Sequence, residues 1–147
     1  MTIDEIKKTL SRLENLMYGG NYEVGFGIYL YDNCFTIADF KIKVEADYKD
    51  TIIENSAPIL YNMSDFWEDV NYGLTFRGDD NVGLVLTKID EEKILEQQEI
   101  YKGFIKEFIT NGTKVFCIPT RQGVFWNYAF LLISEDKCLF TYGFADD

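Results

Sequence analysis

Apolar residues at Ile3, Ile6, Leu10, Leu13 and Met17 recur three or four positions apart, the spacing of one face of a helix. Thr2 stands three residues ahead of Glu5, a pairing that caps a helix start, and Gly19-Gly20 supplies a stop. The pattern predicts an amphipathic helix over residues 3–17. Its apolar stripe is narrow, which suits either a coiled-coil seam or a helix laid across a sheet, and the strand-like runs that follow favour the sheet.

The period then drops to two. Val24, Phe26, Ile28 and Leu30 share one side of the run Tyr22–Tyr31, and after Asp32-Asn33 the alternation resumes with Ala38, Phe40, Ile42, Val44 and Ala46 between charged positions. Two alternating runs around an Asp-Asn turn predict an antiparallel hairpin with one face in water. Residues 56–72 lose the alternation. Ser56 with Pro58 predicts a short helix, and Ser64 ahead of the acidic "DFWEDV" predicts another. Leu74–Arg77 and Val82–Ile89 flank "GDDN" as a second predicted hairpin.

From Asp90 to about Thr110 the chain is rich in helix formers, with Ile94, Tyr101, Ile105 and Phe108 on a broad apolar face, and Asn111-Gly112 ends it. Val115–Ile118, Val124–Ile133 and Lys137–Phe144 read as three closing strands. The middle one is apolar at nearly every position, the mark of a central strand covered on both faces. The expectation is a single α+β domain over residues 1–147: an antiparallel sheet of about six to seven strands packed against an N-terminal helix and one long central helix.

Composition sharpens this picture. At 147 residues and 47% hydrophobic content, the chain has enough apolar surface for one core. Cys34, Cys117 and Cys138 are an odd number at wide spacing, each in an apolar stretch, and read as reduced core cysteines. The N-terminus has no apolar signal-like run, and no stretch approaches the roughly 18 apolar residues of a membrane span. A cytoplasmic protein is expected.

Candidate chemistry is sparse. The chain has no histidine, which removes Ser-His and Cys-His nucleophilic catalysis, histidine general bases and His-bearing zinc sites. Three scattered cysteines cannot build a four-thiolate site. "GGNYEVGFG" lacks the third glycine of a dinucleotide loop and the Gly-Lys of a phosphate loop, and "GDDN" lacks the spacing of a calcium loop. Paired carboxylates could hydrolyse glycosides, but nothing singles out one pair among 25 acidic residues. The expectation is a protein that is not an enzyme and uses no cofactor or metal.

Charge says more. The formal net charge is −11, and residues 45–80 hold nine acidic residues against Lys49 and Arg77. Such a field disfavours nucleic acid and anionic membranes and favours a basic protein partner, although solubility alone also accounts for a net negative charge. Within "DFWEDVNYGLTFRGDD", Asp65, Glu68 and Asp69 fall on one helical turn, and Asp79-Asp80 crowns the predicted hairpin. These five carboxylates are the candidate binding field, with Trp67 and Tyr72 as aromatic anchors. Taken as a single residue, Trp67 reads more readily as core, since large aromatics dominate cores. A second reading makes "VFWNYAFLLI" the lining of a small-ligand pocket or a homo-oligomer face.

In size, acidity, lack of targeting signals and α+β pattern, the chain resembles the small cytoplasmic immunity proteins of bacterial polymorphic-toxin and contact-dependent inhibition systems. The resemblance implies a non-enzymatic antitoxin role in bacterial competition. Its partner would be a cognate toxin, such as a basic nuclease domain, neutralised through the acidic surface.

Overall fold

The computed structural model describes residues 1–19, 22–47, 57–77, 86–120 and 123–146. In chain order the elements are α1 (Ile3–Leu16), β1 (Glu23–Asp32), α2 (Ile37–Asp47), β2 (Ile59–Tyr61), α3 (Met63–Thr75), α4 (Lys88–Phe108), β3 (Lys114–Cys117), β4 (Trp126–Ser134) and β5 (Lys137–Asp146). The strands form one five-stranded sheet in the order β1-β5-β4-β3-β2, and each neighbouring pair is antiparallel. The α+β class stands, with five strands among the described residues where the pattern predicts six to seven.

β4 explains the layering. Trp126, Tyr128, Phe130 and Leu132 point into the larger core cluster, with buried residues of α1, α3 and α4. Ala129 and Leu131 point the other way, into a smaller cluster with Phe40 and Val44 of α2. Successive side chains of a strand leave opposite faces, so an unbroken apolar run requires cover on both. Three helices cover one face and α2 covers the other.

α1 forms as its spacing predicts. Thr2 Oγ1 accepts the Glu5 N–H at 3.2 Å, and Ile6, Leu10, Leu13 and Met17 are buried. The helix also guards the sheet edge: Glu14 Oε1 accepts the Phe26 N–H at 2.9 Å, and Lys7 Nζ sits 4.8 Å from the Tyr29 ring centroid. Those contacts occupy the side of β1 away from β5, where an open edge would invite pairing with other chains.

That arrangement corrects the first predicted hairpin. β1 has β5 on one side and α1 on the other, which leaves no position for a strand at 38–46. Residues 37–47 are helical instead. Thr36 Oγ1 accepts the Asp39 N–H at 3.1 Å, and Asp39 Oδ2 accepts the Phe35 and Thr36 N–H groups at 3.0 and 3.2 Å. This reciprocal cap starts the helix, and Phe40 and Val44, four apart, dock on the sheet with the Phe40 and Phe140 rings 5.1 Å apart.

The second predicted hairpin also fails at its ends. Leu74 and Thr75 continue α3, and Ile89 lies in α4, whose cap Thr87 accepts the Asp90 N–H at 3.2 Å. The late carbonyls of α3 are taken up by side chains: Leu74 O accepts from Gln98 Nε2 at 2.6 Å and from Arg77 Nη1 at 2.7 Å. The predicted tip, residues 78–81, lies outside the described residues. Ser56 does too, and Ile59–Tyr61 is a short strand paired with β3 where a helix was expected.

The cysteine expectation is overturned for two of three. Cys34 and Cys138, both fully buried, form a disulfide across 104 residues. β1 and β5 pair with Tyr31 opposite Cys138, and the Cys34 N–H donates to Asp136 O at 2.8 Å, so the two thiols are brought together by the pairing of the first and last strands. Only Cys117 is free. Reduced cysteines were one ground for expecting a cytoplasmic protein, and the disulfide removes it. Among the described residues no helix is long and apolar enough to cross a membrane.

Candidate functional site

α3 is capped by Asn62, whose Oδ1 accepts the Ser64 and Asp65 N–H groups at 2.7 and 3.2 Å. Phe66, Val70, Gly73 and Leu74 turn inward. Gly73 is required by this close approach, because a β-carbon there would fall 2.7 Å from the Trp126 ring. The inward face fixes the outward one. Asp65, Glu68, Asp69 and Tyr72, at i, i+3, i+4 and i+7, form one stripe, with Asp65, Glu68 and Tyr72 exposed and half-buried Asp69 on its sheet-facing edge.

The stripe is anionic, with the Asp65 and Glu68 carboxylates exposed to solvent. The described ion pairs are Arg77–Glu91, Lys102–Glu99 and Lys137–Asp32, so none of the three carboxylates pairs with a described cation. Arg77, the only cation of the "DFWEDVNYGLTFRGDD" run, is turned inward to the Leu74 and Phe76 carbonyls and to Glu91. Tyr72, 58% exposed, ends the stripe.

Trp67 sits on the flank. It is half-buried against the core, meets the Phe66 ring edge-on at 4.9 Å, and lies under Lys106, with Nζ 5.5 Å from the ring centroid. The structure therefore groups Asp65, Glu68, Asp69 and Tyr72 and sets Trp67 beside them. Asp79 and Asp80 lie outside the described residues.

One neighbour was not visible from sequence spacing. The Tyr61 hydroxyl donates to Asp69 Oδ2 at 2.6 Å, which pushes its pKa up to about 12, mainly because the ionised phenol would face the carboxylate. Nearby on β3, burial raises the Cys117 thiol and Asp69 adds to the effect, so this cysteine is held in its weakly nucleophilic thiol form. Tyr61 enters because β2 leads directly into α3, a fact of sheet pairing that no local motif encodes.

The aromatic run of β4 resolves differently. Trp126, Tyr128, Phe130 and Leu132 are buried among the helices, which makes them core where a pocket or oligomer lining was the second reading. Their polar atoms are satisfied internally. The Trp126 indole N–H donates to Tyr22 Oη at 3.0 Å, and Tyr128 lies 3.0 Å from the Tyr101 hydroxyl.

The site is thus an open acidic helix face on an antiparallel sheet domain, and that fold is shared with solved structures. Citrus MAF1 superposes with a TM-score of 0.57 and 7% identity, over 94% of this chain and 98% of that one. A second crystal form of citrus MAF1 gives a TM-score of 0.47 and 11% identity, over 93% and 98%. No protein-family model matches the sequence, and no curated protein matches it.

The MAF1 likeness overturns the immunity-protein expectation. Size, acidity, lack of targeting signals and an α+β pattern carried that expectation, and the size and pattern recur in a fold shared with MAF1, so they do not mark a toxin inhibitor. The toxin-neutralising function and the role in bacterial competition are withdrawn.

Proposed function

We propose that this domain is a non-catalytic binding module that receives a basic segment of a partner protein on the outward face of α3. One observation carries the reading: Asp65, Glu68 and Asp69 stand together without a described cation, beside an exposed Tyr72. Carboxylates in this state attract a cation at long range, and an aromatic next to them gives the complex an apolar foothold. The net charge of −11 sets the same field against nucleic acid and anionic lipid.

A binding role fits the chemistry better than a catalytic one. The chain has no histidine, and its free thiol is pushed toward the neutral form. The likeness to citrus MAF1 contributes the fold; at 7% identity it carries no residue role across.

The test must separate a site from bulk acidity. An oligolysine peptide is titrated into the wild type, into Asp65→Asn/Glu68→Gln/Asp69→Asn, and into a control neutralised at Glu92, Glu96 and Glu99 on α4. The α3 variant should bind about tenfold more weakly at low salt and the control only about twofold. Tyr72→Ala should add a further few-fold loss. Equal losses in the two triple variants would show a diffuse field and remove α3 from the account.

A further inference from the structure

α2 is apolar on two sides. Phe40 and Val44 are buried against the sheet, while on the opposite side Ile42 is 71% exposed and Phe35, just ahead of the helix, is 59% exposed. Ala38, also exposed, lies between them. Ala38 and Ile42, four positions apart, share the outward face of the helix, and exposed Phe35 precedes its cap, so this chain leaves an apolar patch there in water.

The charges beside the patch are ordered. Lys41 and Glu45 lie on one flank, and Asp39 and Lys43 lie on the other. Each flank therefore carries one cation and one anion four residues apart. A two-fold axis perpendicular to the helix sets each flank against the same flank of a second copy, running in the opposite direction. With the axis at Ile42, Lys41 meets the second copy's Glu45, and Asp39 meets the second copy's Lys43, each within about 3 Å of axial offset. Ile42 then packs on the second copy's Ile42.

We propose that the outward face of α2 is the contact surface for a second copy of this chain, in an antiparallel α2–α2 pair centred on Ile42. The occupant follows from charge. Two chains of net charge −11 repel each other over most of their surfaces. Asp39, Lys41, Lys43 and Glu45 sum to zero, which makes this patch a place where two copies meet without that penalty. A basic partner gains nothing from a neutral strip, whereas α3 offers it three carboxylates without a described cation.

The contact is small. A helix of 11 residues with exposed Ile42, and Phe35 just ahead of it, falls short of the roughly 800 Å² per partner of a standard interface, so the dimer is weak, with Kd on the order of 100 µM. The pair is independent of the binding reading above, but it adds to it. α2 and α3 lie on opposite faces of the sheet, so a dimer built on α2 keeps both α3 stripes outward and presents them as a bivalent surface.

Sedimentation equilibrium on the full chain, from about 10 µM to about 1 mM at near-physiological salt, reads the prediction directly. The wild type should pass from monomer toward dimer mass across that range. Ile42→Glu should remain monomeric. Lys41→Glu should weaken association about tenfold, and Lys41→Glu/Glu45→Lys should restore it, because the swap keeps opposite charges across the axis. All three variants alter exposed positions, and unchanged thermal midpoints would confirm an intact fold. A wild type that stays monomeric throughout overturns the proposal, as does a dimer that survives Ile42→Glu or a swap that fails to restore association.

Discussion

Three helices close one face of the sheet around buried side chains that include Phe66, Tyr101 and Trp126, while among the described residues α2 is the helix on the other, around Phe40 and Val44. The first face also buries a continuous polar chain. Thr141 Oγ1 donates to Gly27 O at 2.9 Å, so it accepts from the Tyr101 hydroxyl at 2.6 Å, which in turn accepts from Tyr128 at 3.0 Å. The second face has instead the Cys34–Cys138 disulfide, which ties the start of the α2 segment to β5. A large apolar volume can hold and orient a polar network; a single small helix is held by a covalent link.

Breaking that link should produce the largest change. The disulfide closes a loop of about a hundred residues, for which the chain-entropy argument gives about 4–5 kcal/mol. Cys34→Ala/Cys138→Ala should lose stability on that order in denaturant unfolding. Hydrogen exchange should show the loss unevenly, with α2 amides losing more protection than those of α1 or α4. Uniform loss across all helices would mean that the two faces are not held by different means.

On the opposite face the matching perturbation is smaller. Tyr101→Phe keeps the ring and removes the central hydroxyl, leaving Tyr128 without its acceptor while Thr141 still donates to Gly27. A buried polar group left unpaired costs about 1–3 kcal/mol. The loss should appear in the unfolding midpoint with α2 exchange unchanged relative to α4. A loss below about 0.5 kcal/mol would show that the network is incidental to that core.

The same contrast decides what could be read from the sequence. Elements whose signals are local came through: α1 from its spacing and cap, α4 from its apolar face, β4 as a doubly covered strand from its unbroken apolar run. Residues 38–46 did not, because the alternation there is real but serves a helix. Around α2 it distributes apolar residues to both sides, burying Phe40 and Val44 and exposing Ile42. The Thr36–Asp39 cap was the opposing local signal, and the decisive constraint, β1 already flanked by β5 and α1, is long-range. The disulfide is hidden for the same reason, since only the pairing of first and last strands brings its cysteines together. At the candidate site, helical spacing grouped Asp65, Glu68, Asp69 and Tyr72; Tyr61 enters through sheet register.

The smallest effect is in alkaline solution, where two tyrosines with similar pKa values should behave differently. Burial pushes Tyr101 up to about 12 and raises Tyr128 well above the ordinary value. Tyr61 also reaches about 12, chiefly through its hydrogen bond to Asp69 at the surface. A folded-state pKa above the unfolded one means that the native state holds its proton more tightly. That stability is fully present below pH 10 and is lost as pH rises through about 12. Just above pH 10 the cost from Tyr101 should be less than about 1 kcal/mol, growing with each further pH unit. Asp69→Asn should bring one tyrosine back toward ordinary ionisation in an ultraviolet titration and, by the same linkage, shift the alkaline unfolding midpoint less than Tyr101→Phe does, because Tyr61 is only half-buried and its interaction is screened by solvent. Tyr101→Phe should shift that midpoint. If Asp69→Asn moves the midpoint as far as Tyr101→Phe does, alkaline unfolding does not distinguish the buried network from the acidic surface.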